Sequence, residues 1–252
     1  MTARRTYLLL RLDGPLQSWG GVAMDPLRPT LSFPTRSALA GLSASALGWT
    51  YRDGSRTTAL QDAMDYAVRQ ERAPRAILDY QTADLDRIGS QGWTRWGIEK
   101  RGGGTAAAGT QVLKKAYLAG GAFLVALGLT DAAPVSLADL ANALRLPARP
   151  LFLGRKGCLP ASPILIGEQA AASALEAVAS WPTADAGERH SSEPAEHVFW
   201  YGDGAGPAEG EPQRVWDRRD FEADRFGGER IVRRVRMAAT RSGEDEEGAH
   251  EP

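Results

Sequence analysis

The run Tyr7-Leu-Leu-Leu-Arg-Leu12, closed by Asp13-Gly14-Pro15, decides the fold of the chain. A short, mostly apolar run that ends in a glycine–proline turn predicts a buried strand. A second run, Ala122-Phe-Leu-Val-Ala-Leu-Gly-Leu129, has no polar residue at all and predicts a buried central strand. We expect these two strands to form the buried centre of a sheet, on which the other elements pack.

Two helices have clear start signals. Thr35 is an N-cap candidate for a helix that runs to Leu47 and stops at Gly48, and its small residues suit close packing on a sheet. Ser136-Leu-Ala-Asp139 is a capping box that opens a helix reaching Leu144. Weaker patterns predict a helix over 58–68 and strands over 75–82 and 163–166.

The order of these elements predicts an α+β protein. Strand, helix, strand, a long glycine-rich excursion over 86–115, strand, helix and strand follow one another. This is the βαββαβ order of a ferredoxin-like or RRM-like domain. We assign this domain to residues 1–168. Residues 169–252 are predicted to be a C-terminal extension with a short helix at 171–180 and a basic strand at 230–236. Its acidic tail, 244–247, is expected to be disordered.

Composition narrows the class of protein. The chain has 252 residues, of which 43% are hydrophobic and 24% charged, as in ordinary globular proteins. No apolar run approaches the ~18 residues that cross a bilayer, and the single cysteine fits a reducing compartment, so we expect a cytoplasmic protein without a membrane partner. One cysteine and three scattered histidines predict no zinc site, and no cofactor is expected.

Charge is distributed unevenly along the chain. Residues 1–168 hold 20 Lys and Arg against 13 Asp and Glu, whereas residues 169–252 hold 10 against 18. Arginine, the better phosphate and base-stacking ligand, supplies 26 of the 30 basic residues. This asymmetry predicts that the first two thirds present a basic face to a polyanionic partner.

Three segments carry residues that suit RNA, and each also has a plainer interpretation. At the helix start, backbone amides with Arg36 and Ser37 suit a phosphate, or they form an ordinary capped helix. The loop that contains Gly154, Arg155 and Lys156 suits phosphates or is a basic turn, and it lacks the Walker A spacing. The glycine-rich excursion is either a surface loop or a single-strand binding element, since it interleaves aromatic and basic residues: Trp93, Arg95, Trp96, Lys100 and Arg101, with Lys114 and Lys115 at its return.

Four motifs in order resemble a known family. They are Leu10-Arg-Leu-Asp-Gly-Pro-Leu-Gln-Ser-Trp-Gly20, Arg28-Pro-Thr30, Phe33-Pro-Thr-Arg-Ser-Ala38 and Phe152-Leu-Gly-Arg-Lys-Gly-Cys158. Together they resemble the CasD family, the E subtype of the fifth CRISPR-associated protein family in the RAMP superfamily, whose members are subunits of type I-E Cascade. The match is collinear over about 6–168.

The resemblance implies a modified RRM-like fold with a thumb hairpin, here about 86–113, and a glycine-rich loop. It implies that the subunit grips the 5′ handle of the CRISPR RNA (crRNA), contacts the backbone and large subunits, and meets target DNA only indirectly. Arg28, Arg36 and Ser37 fall on the family's first motifs, Arg155 and Lys156 on its glycine-rich loop. Lys114 and Lys115 fall at the base of the thumb.

An enzymatic alternative comes from the same family, because a related subtype cleaves its own precursor RNA. Metal-independent cleavage needs a base for the 2′-hydroxyl and an acid for the leaving oxygen. Lys114, Lys115, Tyr80 and Tyr117 are the candidates, but no histidine precedes His190. We therefore predict no catalytic residue and expect a non-catalytic RNA-binding subunit.

Overall fold

The computed structural model describes residues 3–22, 27–84, 91–94, 97–100, 110–183, 196–202, 206 and 209–238. Within these ranges the helices are α1 Arg36–Ala46, α2 Gly54–Asp62, α3 Leu137–Arg145 and α4 Ala174–Ser180, with a 3-10 turn at Tyr51–Asp53. The strands are β1 Arg5–Asp13, β2 Leu16–Gln17, β3 Leu27–Arg28, β4 Met64–Arg72, β5 Arg75–Asp84, β6 Gln91–Thr94, β7 Gly97–Lys100, β8 Thr110–Ala119, β9 Ala122–Leu129, β10 Leu165–Ala171, β11 Glu196–Gly202, β12 Glu211–Val215, β13 Arg219–Asp220, β14 Arg225–Phe226 and β15 Arg230–Ala238.

A seven-stranded antiparallel sheet, in the order β10-β1-β9-β4-β11-β15-β12, organises the molecule. The two apolar runs pair at its centre, where Leu8 lies opposite Leu127 and Leu10 lies opposite Val125. The α+β class and both central strands are thus confirmed. The sheet also takes in β11, β12 and β15, so the residues predicted to be a C-terminal extension supply three of its strands.

The predicted helix over 58–68 is wrong in its second half. Helix α2 ends at Asp62, and β4 begins at Met64. Ala and Gln give this segment good helix propensity, but β4 pairs with β9 on one edge and with β11 on the other. Tertiary pairing and burial of both strand faces override that weak local preference.

A second, smaller sheet is built around β8 and corrects the placement of 75–82. That segment is β5, which pairs with β8 from Arg75 opposite Ala119 to Asp84 opposite Thr110, outside the central sheet. The other edge of β8 holds β2 antiparallel and β3 parallel. The hairpin that carries the excursion therefore starts at Arg75, before the predicted thumb boundary of 86, and β6 pairs with β7 within it.

Both faces of the central sheet are covered. On one face the apolar side of β1 and β9 packs against α1 and α3, whose buried side chains include Leu39 and Leu140. On the other face α4 lies across β4 and β9, and its Leu175 and Val178 pack against Leu124. No helix in the described ranges is both long and apolar enough to cross a bilayer.

Helix α4 is fixed to the sheet by a buried arginine. The Arg69 guanidinium donates to the carbonyl oxygens of Val178 at 2.5 Å and Trp181 at 2.7 Å, and its Nε donates to Glu71 at 2.5 Å. These bonds satisfy carbonyls at the helix end that have no partner within the helix. Burial lowers the pKa of Arg69, and the charge of Glu71 opposes that effect.

This arrangement predicts a large stability loss for Arg69→Ala. The substitution removes the guanidinium that bonds Glu71 and the donors at the end of α4, so the free energy of unfolding should fall by about 3–5 kcal/mol. Urea unfolding monitored by circular dichroism measures it. Arg75→Ala, at an exposed arginine on β5, is the control and should stay within about 0.5 kcal/mol of the parent. Equal, small losses in the two variants would contradict the role of Arg69.

Candidate nucleic-acid interface

Two cavities of about 770 and 410 Å³ meet between the loop after β2, the glycine-rich loop and the β13–β14 hairpin. They share four lining residues, so we treat them as one groove. The larger cavity brings four guanidinium groups together with aromatic side chains. We call it the arginine groove, and its defining residues are Arg28, Arg155, Arg219, Arg225, Trp216 and Phe226.

The glycine-rich loop forms the floor of this groove and is held by backbone bonds. The Leu153 amide donates to the Cys158 carbonyl at 2.7 Å, and the Ser18 amide donates to the Leu153 carbonyl at 3.0 Å. Gly154 has a φ of +100°, and a Cβ there would stand 1.7 Å from the Ser18 carbonyl oxygen. Only glycine permits this approach of the two backbones.

Arg155 joins three parts of the groove. Its guanidinium donates to the carbonyls of Ala116 at 2.8 Å and Arg28 at 3.0 Å, and it lies 4.7 Å from the centre of the Tyr117 ring. Because these bonds fasten the glycine-rich loop to β8 and β3, Arg155 shapes the groove as well as lining it. Lys156, the next residue, is exposed.

The start of α1 is not an open phosphate site. The Arg36 amide donates to the Asp217 carboxylate at 2.9 Å, the Ser37 amide to the Asp217 carbonyl at 3.1 Å, and the Ala38 amide to Thr35 Oγ1 at 3.3 Å. A helix N-terminus attracts an anion, and here the chain supplies its own. The expectation that these amides hold an RNA phosphate is therefore corrected.

The side chains of Arg36 and Ser37 have separate positions. The Arg36 guanidinium donates to the Met64 carbonyl at 2.7 Å, which ties α1 to β4. Ser37 lines the smaller cavity beside Arg155 and Arg219. Of the two, the geometry brings only Ser37 to the groove, and an RNA contact by either stays a prediction.

Asp217 is the centre of a buried polar cluster. It is 1% exposed, and Arg230 donates to both of its carboxylate oxygens, at 2.7 and 2.8 Å. The Tyr66 hydroxyl donates to it at 3.4 Å. Burial alone would raise the pKa of the Asp217 carboxyl, but the hydrogen bonds and charge of Arg230, with the Arg36 amide, hold it below its ordinary value.

The segment after Asp217 is tied to α2. The Arg218 guanidinium bonds both carboxylate oxygens of Asp62, at 2.8 and 2.6 Å. Gln61 exchanges two hydrogen bonds with the backbone of Arg219, at 2.9 and 3.0 Å. These contacts fix β13 beside α2, so that the side chains of the hairpin face the loop after β2 across the groove.

The hairpin presents its cations beside aromatic rings. The Arg219 guanidinium lies 5.6 Å from the Phe221 ring centre and 5.8 Å from that of Phe226, and it forms an ion pair with Asp224. Arg225 is exposed, and the Trp216 side chain at the groove wall is 48% exposed. Cations next to accessible flat rings suit unstacked nucleotides.

Of the remaining predicted residues, Lys114 and Lys115 are described and do not line the groove. Lys114 and Lys115 are on β8 opposite Leu27 and Arg28, and Lys114 is exposed. Trp93 lies on β6 and Lys100 on β7, although their side chains are not described. Arg95, Trp96 and Arg101 fall outside the described residues, so their RNA contacts stay predictions.

Sequence reasoning missed four of the six residues that define the groove. Trp216, Arg219, Arg225 and Phe226 come from the third of the chain whose net charge is negative, and they were not predicted as ligands. The signal was present: over 214–226, arginines alternate with aromatic residues as they do in the excursion. Net charge hid it because Asp217 and Asp224 offset arginines of the same segment.

Known proteins resemble this chain in sequence. A family model described as "CRISPR-associated protein (Cas_Cas5)" matches residues 7–233. The "CRISPR system Cascade subunit CasD" of Escherichia coli (strain K12) is 34% identical over 163 residues, which are 65% of this chain and 71% of that protein.

Solved structures show the same fold. A chain of a "CRISPR RNA-guided surveillance complex" has a TM-score of 0.64 at 24% identity, over 92% of this chain and 90% of that one. A "Crystal structure of Cas protein" has a TM-score of 0.62 at 28% identity, over 93% and 96%. The fold and the motifs thus define a CRISPR-associated protein. The chain belongs to the Cas5 family, as its four motifs predicted.

The docking of the glycine-rich loop predicts that Gly154→Ala is disruptive. The added Cβ would overlap the Ser18 carbonyl, and the positive φ adds strain, so we expect a loss of about 2–4 kcal/mol in unfolding free energy. Gly157→Ala is the matched control, because a Cβ there meets no atom within 4 Å. Chemical denaturation of both variants measures the difference, and equal stabilities would show that the loop moves freely.

The lowered pKa of Asp217 predicts how the stability of the protein depends on pH. Its pKa is lower in the folded protein, so its stabilising contribution is complete above the unfolded-state pKa of about 3.9 and is lost as the pH falls through the lower folded value. Asp217→Asn should lower stability at pH 7 by about 3 kcal/mol and flatten the acid side of the stability curve. Glu222→Gln, at an exposed carboxylate of the same segment, should change neither. An unchanged acid slope in Asp217→Asn would contradict the assignment.

Proposed function

We propose that the chain is a subunit of a Cascade-type, crRNA-guided complex and that it binds the 5′ handle of crRNA in the arginine groove. The observation that carries the proposal is the convergence of four arginines and an exposed tryptophan on one groove. Guanidinium groups hold phosphates, often through two bonds at once, and aromatic faces receive unstacked bases. A site that binds a short single strand of fixed sequence needs both guanidinium groups for the phosphates and aromatic faces for the bases.

The central sheet supports RNA binding in the groove, because the face of the sheet that an RRM uses for RNA is covered. We interpret β1, α1, β4, β9, α3 and β10 as an RRM-like βαββαβ unit, since its four strands lie in the order fourth, first, third, second. An RRM stacks bases on the open face of such a sheet. Here α4 covers that face, so RNA has to bind elsewhere, and the groove beside α1 offers the cations.

The proposed partners are those that the family resemblance implies, and one of them is assigned a surface on the hairpin. A backbone subunit and a large subunit, with target DNA met indirectly through the guide, are the proposed contacts in the cytoplasm. Leu78 and Tyr80 lie on one face of β5 and are each 60% exposed. Neighbouring exposed apolar side chains mark contact surfaces, so we propose that this face of the β5–β8 hairpin, the base of the proposed thumb, docks on the backbone subunit.

We propose that the subunit does not cleave RNA. The candidate acid and base for cleavage include Tyr80, Lys114 and Lys115. Tyr80 and Lys114 lie opposite one another on β5 and β8, and Lys115 follows Lys114 in the chain. Incubation of repeat RNA with homogeneous protein and EDTA tests this proposal. Intact RNA is expected, and metal-free cleavage that Lys114→Ala/Lys115→Ala abolishes would establish the endoribonuclease instead.

Handle binding is tested with three RNAs at fixed salt: the parent guide, a handle-scrambled guide and a spacer-scrambled guide. Scrambling the handle should cost about 1–3 kcal/mol for each stacked base lost, whereas scrambling the spacer should cost less than about 1 kcal/mol. Equal binding of all three would reduce the protein to a general polyanion binder and overturn the handle assignment.

The groove itself is tested with matched arginine variants. Arg219→Ala and Arg225→Ala should each weaken binding and flatten the plot of log K against log salt by about 0.7, because each removes a phosphate contact. Arg214→Ala removes the same charge from a side chain that is 74% exposed and outside the groove lining. If Arg214→Ala flattens the plot equally, the RNA follows general surface charge and not the groove.

A further inference from the structure

One carboxylate stands among the arginines of the groove. Among the described residues that line the two cavities, Asp224 is the only acidic one. It forms an ion pair with Arg219. Its backbone has a φ of +52°, a left-handed conformation that is uncommon for residues other than glycine. An anion in a groove built for an anionic ligand calls for a physical explanation.

The other acids of the hairpin are directed elsewhere. Asp220 accepts the backbone amides of Glu222 at 3.1 Å and Ala223 at 2.9 Å, which closes the turn between β13 and β14. Glu222 is exposed and lines neither cavity. Within the described hairpin, Asp224 is therefore the carboxylate that the turn presents to the groove.

A carboxylate and a phosphate make the same demand on a guanidinium group. Both are bound by charge-assisted N–H···O bonds, often two in parallel. We propose that Asp224 is an internal substitute for an RNA phosphate: it occupies Arg219 in the free protein, and the incoming RNA displaces it. This inference rests on the proposed function of the groove and names a residue that controls its affinity.

The geometry favours a competitor over a residue that merely positions Arg219. The Arg219 guanidinium lies near both Phe221 and Phe226, and its backbone is held by Gln61, so its place does not depend on Asp224. The two paired side chains are 38% and 43% exposed, and ion pairs with such access to solvent are weak. A pair of this kind is readily exchanged for a ligand phosphate.

Displacement lowers the affinity of every RNA that uses Arg219. Every RNA that uses Arg219 must first separate it from Asp224, so a ligand that makes only this contact gains little. An RNA that also stacks on Trp216 and contacts the other arginines gains enough to displace the carboxylate. Asp224 thus lowers the affinity of the free subunit for arbitrary single strands.

The test is a double-mutant cycle on Asp224 and Arg219 with the handle RNA. Asp224→Asn keeps the side-chain shape, and asparagine tolerates positive φ well, so the melting temperature should stay within about 2 °C of the parent. We expect Asp224→Asn to bind the handle RNA about two- to fivefold tighter, the range set by a partly exposed ion pair. The gain should vanish in the Arg219→Ala background. Glu222→Gln makes the same charge change outside the groove and should leave the dissociation constant unchanged.

Each outcome decides the matter. Weaker binding by Asp224→Asn would show that the carboxylate organises Arg219, and it would overturn the proposal. A gain that persists with Arg219→Ala, or that Glu222→Gln reproduces, would reduce the effect to net charge and also overturn it. If Arg219→Ala weakens binding but Asp224→Asn has no effect, this inference fails and the groove assignment stands. If the parent does not bind the handle at all, both fail.

Discussion

The burial of Asp217 at the start of α1 is the constraint on which the groove depends. A carboxylate that is 1% exposed requires compensation, and Arg230, Tyr66 and the first amide of α1 supply it. Those partners come from β15, β4 and α1, so one side chain joins the last strand of the chain to its first helix. The chain that follows Asp217 passes α2, where Gln61 bonds the backbone of Arg219. The β13–β14 hairpin then forms opposite the glycine-rich loop. Without this anchor, nothing at Asp217 would hold the β13–β14 hairpin opposite the glycine-rich loop, and these two segments are the walls of the groove.

A second constraint directs ligands away from the sheet. Because Arg69 caps the end of α4, that helix stays on the face of the sheet that an RRM leaves open. The side chains that cluster with α4 are buried, including the aromatic Tyr7, Phe199 and Tyr201, so this face offers no accessible stacking platform for bases. The residues proposed to bind RNA lie instead in the arginine groove, where loops from both ends of the chain meet. The fold and the location of the groove are two consequences of the same packing.

The sequence predicted those features that a local pattern determines. The apolar runs at 7–12 and 122–129 and the caps at Thr35 and Ser136 correspond to β1, β9, α1 and α3, and the basic strand at 230–236 lies within β15. It did not predict β4, because the choice between helix and strand there is made by pairing with two strands distant in sequence. It also assigned the amides at the start of α1 to an RNA phosphate, since no local signal shows that a carboxylate 181 residues away caps them. Arg28 and Arg155 were found because they sit in recognisable motifs, while Arg219 and Arg225 were hidden in a segment of negative net charge.

Asp217 and Asp224 show how burial divides one chemistry into two roles. Each carboxylate faces an arginine of the same C-terminal segment, and each stands where a phosphate would also be attracted. Asp217 is sealed from water and bonded by several donors, so an exchange for phosphate would leave a buried charge or a cavity at a cost of several kcal/mol. Asp224 is 43% exposed, and solvent screens its pair with Arg219, so the same exchange is nearly balanced. The buried carboxylate is consequently part of the fold, whereas the exposed one lacks that constraint and suits the proposed exchange with an RNA phosphate.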